Sequence, residues 1–214
     1  MDTVWVFGDQ LNRRVGPLAS RKAGSVRVLL VENQRRLRER RWHRQRLHLY
    51  VVAMRRFAAE LESAGFEVDY QRSDGLASGL EAHRAAFDPS RVLAMDPTRF
   101  GASARLEALD VEVEPNAQFL CSSEDFAGFA GERGSLRMET FYRWQRKRLG
   151  ILMDGDEPEG GRWNFDEENR KPPPRDGDWT EPLRFRLDDL DREVMAETEA
   201  LGFGEPPVGW WATS

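Results

Sequence analysis

The 214-residue sequence contains a single cysteine, Cys121, and this scarcity limits the metal chemistry that the chain can support. One cysteine cannot form an internal disulfide, and it cannot by itself hold an iron–sulfur cluster or a structural zinc ion. Cys121 follows Phe119 and Leu120, which is typical of a small buried residue rather than of a reactive thiol. Any cluster or structural zinc is therefore expected to lie outside this chain.

Residues for acid–base or hydrolytic catalysis are also scarce. The sequence has three histidines, and the spacing of His43 and His48 does not match the zinc-binding H-E-x-x-H pattern. No serine lies in a G-x-S-x-G motif. We interpret His43, His48 and His83 as packing or surface residues, so no catalytic residue and no metal ligand is predicted. The residue types alone indicate an α/β ligand-binding domain.

Long apolar runs are missing as well. The sequence has no run of about 18 apolar residues, and no charged-then-apolar leader precedes Val4. Neither a membrane span nor a secretion signal is predicted, and we expect a cytoplasmic protein without a membrane partner.

The formal net charge of −5 conceals an uneven distribution. Seven arginines and one acid, Glu39, lie between Arg35 and Arg46, whereas ten acids and three arginines lie between Asp176 and Glu205. An arginine-rich run is most often a solvated helix face, and the alternative is a surface that binds nucleic acid or an anionic ligand.

Apolar runs alternate with segments of helical periodicity in residues 1–120. The apolar and β-branched runs predict strands at 4–7, 26–31, 66–70, 91–95 and 111–113. Apolar spacings of three and four predict helices at 42–65, 76–87, 102–109, 137–153 and 187–201. Because strands separated by helices pair in parallel, this order predicts a doubly wound α/β fold. We expect a mostly parallel five-stranded sheet with helices on both faces, followed by a helical connector.

The ends of the predicted strands carry polar residues suited to a ligand. Ligands of doubly wound sheets bind beyond the carboxyl ends of the strands, where Gly8 would allow close backbone approach. Arg46, Leu47 and Tyr50 are one and four residues apart on the predicted long helix, so they can share a face. We expect this face to lie toward the same edge of the sheet. A dinucleotide or P-loop site is not expected, since the first loop has neither G-x-G-x-x-G nor G-x-x-x-x-G-K-S/T. The predicted ligand-binding residues are Gly8, Asp9, Gln10, Leu11, Glu32, Asn33, Arg46, Leu47, Tyr50 and Asp96, and for Asp9 a turn or capping role is equally compatible.

Five short segments together form a recognisable pattern. Residues 135–143 read SLRMETFYR, 152–153 read LM, and 158–172 read PEGGRWNFDEENRKP. Near the start of the chain, 8–11 read GDQL and 53–58 read AMRRFA. These segments resemble the deoxyribodipyrimidine photolyase-related family, the iron–sulfur bacterial cryptochromes and (6-4) photolyases, and the resemblance spans nearly the whole chain.

The resemblance implies an N-terminal α/β antenna domain, and then a larger helical domain that holds FAD and a four-cysteine 4Fe–4S cluster. Residues 1–155 would form the antenna domain, and residues 156–214 the interdomain connector and the start of a missing helical domain. The implied antenna is a lumazine-type chromophore, dimethyl-ribityllumazine, which passes excitation to reduced FAD. Trp163 and Phe165 would anchor the connector on the helical domain, or else form a local cap on the α/β domain.

The resemblance therefore implies the light-harvesting domain of a DNA photolyase, a carbon–carbon lyase, or of a cryptochrome. We expect a monomer whose partners are the missing C-terminal FAD domain and, in the complete protein, UV-damaged DNA; this chain alone should be inactive. Two alternatives remain: a stand-alone flavin or lumazine carrier, and a nucleic-acid accessory module that acts through Arg35–Arg46. A bound coloured chromophore would separate the first two functions from the third.

Overall fold

The computed structural model describes residues 1–131, 133–166, 170, 172, 175–177, 180–181 and 183–209. Residues 167–169 and 171 of the family-like segment 158–172 lie outside the described residues. The chain divides into two compact units, the first formed by Met1–Gln118 with Pro182–Ser214 and the second by Phe119–Glu181.

The secondary structure alternates strands and helices, as the sequence predicts for its first half. The strands are β1 (Asp2–Val6), β2 (Val26–Asn33), β3 (Trp42–His43), β4 (Glu67–Ser73), β5 (Val92–Met95), β6 (Glu112–Glu114), β7 (Met153–Asp154), β8 (Glu157–Pro158) and β9 (Gly202–Phe203). The α-helices are α1 (Gln34–Arg38), α2 (Arg44–Ser63), α3 (Leu76–Phe87), α4 (Ala102–Glu107), α5 (Ser123–Ala130), α6 (Met138–Leu149) and α7 (Asp189–Thr198). Single 3-10 turns lie at Gly16–Leu18, Glu159–Gly161 and Glu199–Leu201.

The first unit is built on a five-stranded sheet in the order β4-β2-β1-β5-β6, and every pair of neighbours is parallel. The register places Val4 opposite both Val28 and Leu93, so β1 lies at the centre. The predicted α/β fold is confirmed.

Each face of the sheet carries its own apolar core, because side chains alternate along a strand. Val4 of β1 packs on one face with Leu61 of α2. Trp5 packs on the opposite face with Leu80 of α3 and Leu106 of α4. Full burial of one such aliphatic side chain contributes roughly 1.5–3 kcal/mol, so the two cores together hold the helices on the sheet.

Helix α7 packs on α2. It starts with a reciprocal capping box, in which the side chain of Asp188 accepts from Asp191 N and that of Asp191 accepts from Asp188 N. A third apolar cluster joins the two helices and contains Leu37, Leu47, Val51, Val52 and Val194. The short strands β3 and β9 pair in parallel and extend this contact.

His48 is buried between α2 and α7, with its Nε2 2.9 Å from Asp191 Oδ1. The other carboxylate oxygen of Asp191 accepts a hydrogen bond from Arg56 at 2.8 Å. Burial lowers the pKa of His48 below 6.5, although the Asp191 carboxylate opposes this shift and Arg56 adds to it. His48 is thus a packing residue that resists protonation.

The depressed pKa of His48 has a consequence for stability. The unfolded chain takes up a proton at His48 as the pH falls through 6.5, whereas the folded chain takes it up only at lower pH. The free energy of unfolding is therefore expected to fall between about pH 7.5 and about pH 5.5, and less so in His48→Gln. Urea unfolding at both pH values measures this, and an equal pH dependence in both proteins would rule out His48 as its source.

The second unit consists of α5, α6 and the β7–β8 hairpin. Its aromatic cluster joins Phe126, Phe129, Phe141 and Trp144, with ring centroids between 4.9 and 6.3 Å apart. The ring of Trp163 is surrounded by three cations of α6, Arg143 at 5.2 Å, Arg146 at 5.3 Å and Lys147 at 5.6 Å. Trp163 thus packs within its own unit.

Candidate functional site at the strand ends

The sheet order places a topological switch point between β1 and β5, because the chain continues to opposite sides of the sheet from these two strands. Ligands of doubly wound folds bind at this point, beyond the carboxyl ends of the strands. Two of the predicted strand ends, Gly8 to Leu11 after β1 and Asp96 after β5, therefore flank the expected site.

Gln10 ties the two strand ends together. Its side chain is buried, and Nε2 donates to Met95 O at 3.1 Å and to Asp96 O at 3.3 Å. Leu11 packs against the core beside it. The side chains of these two predicted site residues contact the protein itself. They therefore support the loops at the strand ends.

Asp9 and Asp96 differ in how free their carboxylates are to accept hydrogen bonds from a ligand. The Asp96 carboxylate accepts a hydrogen bond from Ser103 Oγ. Asp9 is exposed, with Oδ2 3.2 Å from Thr98 Oγ1, and its backbone oxygen accepts from Gln118 at 2.9 Å. Asp9 thus keeps acceptor capacity for a ligand, since an ionised carboxylate accepts several hydrogen bonds.

Tyr50 lies directly over Gly8. A Cβ atom built on Gly8 would be 2.6 Å from the phenol oxygen of Tyr50, so any larger residue would displace the ring. Burial raises the pKa of Tyr50, as do the charges of Asp9 and Glu32, whereas Arg36 opposes the rise. We call Gly8, Asp9 and Tyr50 the strand-end site.

Glu32 is the centre of a buried hydrogen-bond network and is 1% exposed. Its carboxylate accepts from Tyr70 Oη at 2.6 Å, from Gln34 Nε2 at 2.6 Å and from Arg55 Nε at 3.1 Å. Arg55 also donates to Glu193 and Glu197 of α7, at 3.0 and 2.6 Å. The carboxylate of Glu32 is therefore occupied by the protein and links the sheet to α2 and α7.

The remaining predicted residues fall in different places. Asn33 caps α1, since its Oδ1 accepts from Arg36 N at 2.9 Å. Leu47 is buried in the α2–α7 cluster and does not reach the strand ends. Arg46 is exposed, and its guanidinium lies 4.7 Å from the centre of the Trp42 ring.

Sequence reasoning did not single out Arg36 and Trp42. The guanidinium of Arg36 lies 5.6 Å from the centre of the Trp42 ring, and Trp42 Nε1 donates to Arg36 O at 3.1 Å. The arginine-rich run was the available signal, but α1 has only 5 residues, too few for periodicity to reveal it. We call Arg36, Trp42 and Arg46 the arginine–tryptophan cluster.

The described part of the chain has neither a metal-binding cluster nor a membrane-spanning helix. No group of three or more His, Cys, Asp or Glu residues is placed there to hold a metal ion. Nor is any helix in these residues both long enough and apolar enough to cross a membrane. Cys121 is half-buried rather than fully buried, and its Sγ lies 3.6 Å from Ser122 O.

The sheet order and the helices around it define a doubly wound α/β domain. The model of the deoxyribodipyrimidine photo-lyase-related protein family matches residues 4–206. The chain belongs to this family, as the motifs predicted.

Two curated proteins show the extent of the similarity. The chain is 33% identical over 211 residues to a (6-4) photolyase of Agrobacterium fabrum (strain C58 / ATCC 33970). The aligned region covers 92% of this chain and 41% of the photolyase. It is 33% identical over 57 residues to the uncharacterized protein R852 of Acanthamoeba polyphaga mimivirus, covering 25% of this chain and 29% of that protein. The chain therefore spans less than half the length of the photolyase that it matches.

Proposed function

We propose that this chain is the light-harvesting domain of a photolyase or cryptochrome and that its strand-end site binds a lumazine-type chromophore, dimethyl-ribityllumazine. The observation that carries this proposal is the position of Tyr50 over Gly8 at the switch point. A flat ring can take the place of the phenol above a residue that has no side chain. Family membership supports the same function.

The residues of the site fit a ring with hydrogen-bonding edges. Tyr50 offers an aromatic face, and the exposed carboxylate of Asp9 can accept from a ring N–H or a ribityl hydroxyl. Gln10 and Asp96 would keep the loops in place through the hydrogen bond between them. When bound, the chromophore would supply the absorption of near-ultraviolet to blue light, while the protein fixes its orientation.

The remaining chemistry is assigned to other parts of a longer protein. FAD and the 4Fe–4S cluster would be held by a C-terminal helical domain, and UV-damaged DNA would be the substrate of that complete protein. The share of the Agrobacterium photolyase that this chain covers, 41%, is consistent with this division. Trp163 and Phe165 would then lie in the connector to the helical domain.

Lumazine binding is expected to depend on Arg46 more than on Arg40. Arg46 lies one helical turn before Tyr50 on α2 and is fixed against Trp42, whereas Arg40 precedes the helix. Arg46→Ala should weaken the affinity for dimethyl-ribityllumazine about tenfold, as expected for the loss of a hydrogen bond to a charged donor. Fluorescence anisotropy titrations of both alanine variants test the proposed function and the site together.

The matched variant Arg40→Ala removes the same charge from the same run and should change the affinity less than about twofold. Equal losses in the two variants would mean that only the general positive charge of this surface matters. If the unmodified chain binds no lumazine and no flavin, the light-harvesting proposal fails.

The structure gives less support to a nucleic-acid module. Arg35 and Arg38 already face carboxylates, Glu39 at 3.2 Å and Asp74 at 2.6 Å. Such pairing reduces the charge available to neutralise phosphates. We therefore retain chromophore binding as the function.

A further inference from the structure

Phe100 is the most exposed large apolar residue among those that the structure describes. Its side chain is 103% exposed, whereas the next in order, Met138 and Leu183, are each 79% exposed. Single exposed apolar residues are common on protein surfaces, so exposure alone does not assign a function. What distinguishes Phe100 is its position in the fold, in a turn that contacts the strand-end site.

Phe100 occupies the corner of a tight turn between β5 and α4. Ala102 N donates to Arg99 O at 3.0 Å, which closes the turn. Gly101 has φ 70° and ψ 9°, the conformation of the third residue of a type II turn, so Phe100 is the second residue. A Cβ atom built on Gly101 would meet no atom within 4 Å, so the corner projects into open space. Proline is common at the second position because its fixed φ suits the turn, and the turn itself has no need of an aromatic ring there.

The base of this turn is fixed at the carboxyl end of β5. The carboxylate of Asp96 accepts a hydrogen bond from Ser103 Oγ, which joins the two ends of the loop 96–103. The backbone oxygen of Asp96 accepts from Asn116 Nδ2 at 2.7 Å and from Gln10 Nε2 at 3.3 Å. These hydrogen bonds hold the loop on the sheet, so the fold defines where its corner lies.

The same loop contacts the strand-end site directly. Thr98 Oγ1 donates to Asp9 Oδ2 at 3.2 Å, and Asp9 is the neighbour of Gly8 in the sequence. Phe100 follows Thr98 by two residues, so the Cα atoms of these two residues are separated by at most about 7 Å. A ligand that bonds to the carboxylate of Asp9 therefore has Phe100 as a neighbour on the β5 side.

We infer that Phe100 is a chromophore-binding residue that contacts the ring of the ligand at the strand-end site from the β5 side. This inference rests on the proposed chromophore site and adds to it a residue of the β5–α4 loop. A phenylalanine and a flat heteroaromatic ring attract each other in stacked or edge-to-face contact, and the apolar surface that they bury adds to the affinity. Tyr50 belongs to α2, so the ring would be contacted by aromatic side chains from two different elements.

Titration of dimethyl-ribityllumazine with the 214-residue chain, followed by lumazine fluorescence anisotropy, tests this inference. Phe100→Ala should weaken the affinity about tenfold, because the ring contact and its apolar burial are lost. Phe100→Tyr keeps the aromatic face and should bind within about twofold of the unmodified chain. Because Phe100 is fully exposed, neither change should shift the urea unfolding midpoint of the chain without ligand.

Phe87 provides the matched control, because it is a partly exposed phenylalanine of the same unit. It ends α3, which leads to the amino end of β5, so it lies at the edge of the sheet opposite the strand-end site. Its ring centre is 3.9 Å from the Arg27 guanidinium and 5.2 Å from the His83 ring. Phe87→Ala should therefore lower the urea midpoint and leave the lumazine affinity unchanged within about twofold, the reverse of the result for Phe100→Ala.

Other results would contradict the inference in distinguishable ways. Equal affinities of Phe100→Ala and the unmodified chain would show that Phe100 does not contact the ligand, and would leave the strand-end site in place. Equal losses in Phe100→Ala and Phe100→Tyr would show that the aromatic face is not what binds. Self-association of the chain that Phe100→Ala abolishes, with unchanged lumazine affinity, would assign Phe100 to a protein interface. Absence of lumazine binding by the unmodified chain would remove the proposed function itself.

Discussion

The purified 214-residue chain is expected to show no iron-dependent absorbance, no tightly bound FAD and no light-dependent repair of a damaged oligonucleotide. A 4Fe–4S cluster of the four-cysteine type needs four thiolates, and the sequence contains one cysteine, Cys121. Repair requires an electron from a bound reduced flavin, and the proposal places FAD in a helical domain outside these residues. The expected effect is complete loss of activity relative to a full-length photolyase.

The assay is repair of an oligonucleotide with a (6-4) or cyclobutane lesion under blue light, with reduced FAD added. The (6-4) photolyase of Agrobacterium fabrum, which this chain resembles at 33% identity, is the positive control for the (6-4) lesion. Measurable turnover by the 214-residue chain alone would contradict the antenna-domain proposal, because an isolated light-harvesting domain has no electron donor.

Replacing Glu32 by alanine is expected to lower the free energy of unfolding by about 3–5 kcal/mol. Glu32 is 1% exposed and accepts hydrogen bonds from Arg55 and Tyr70. Its removal leaves the Arg55 charge and the Tyr70 hydroxyl without their shared partner, and buried groups without partners are costly. The same change loosens α7, since Arg55 also donates to Glu197.

A surface glutamate in the same sheet provides the matched control. Glu67 of β4 pairs with Arg27, but its side chain is 50% exposed. Glu67→Ala should therefore cost no more than about 1 kcal/mol, as exposed ion pairs usually do. Urea unfolding followed by tryptophan fluorescence measures both variants, and equal losses would show that the network around Glu32 does not stabilise the fold.

Local periodicity was sufficient to predict most elements of the sheet unit. The helix predicted at 76–87 has the observed bounds of α3, and the five strands lie within a few residues of their predicted positions. Strand β2 continues to Asn33, two residues beyond its predicted end, because β4 pairs with it throughout, Asn33 opposite Ser73. Pairing between distant segments sets such boundaries, and one segment's sequence does not contain that information.

The long helix shows why only part of the site was predictable. Helix α2 has two apolar faces, with Met54 and Leu61 against the sheet and Leu47 against α7. Spacing identifies residues that share a face, but it cannot tell which of two apolar faces meets the sheet. The spacing therefore predicts both Tyr50 and Leu47 at the strand ends, whereas in the structure Leu47 packs between α2 and α7.

The uneven charge of the sequence is largely explained by contacts within the first unit. Acids of α7 pair with arginines of α2 and β4: Glu197 lies 2.6 Å from Arg55 and 2.9 Å from Arg72, and Asp191 lies 2.8 Å from Arg56. Among the described residues Arg46 takes part in no such pair, and its guanidinium lies 4.7 Å from the centre of the Trp42 ring.

The most direct test of the account is an experimental structure of the 214-residue chain with dimethyl-ribityllumazine bound. The account predicts that the chromophore ring contacts Gly8 and Tyr50 at the carboxyl ends of β1 and β5, with the Tyr50 ring moved from its present place over Gly8. A chromophore bound instead at Trp163, among the cations of α6, would contradict it.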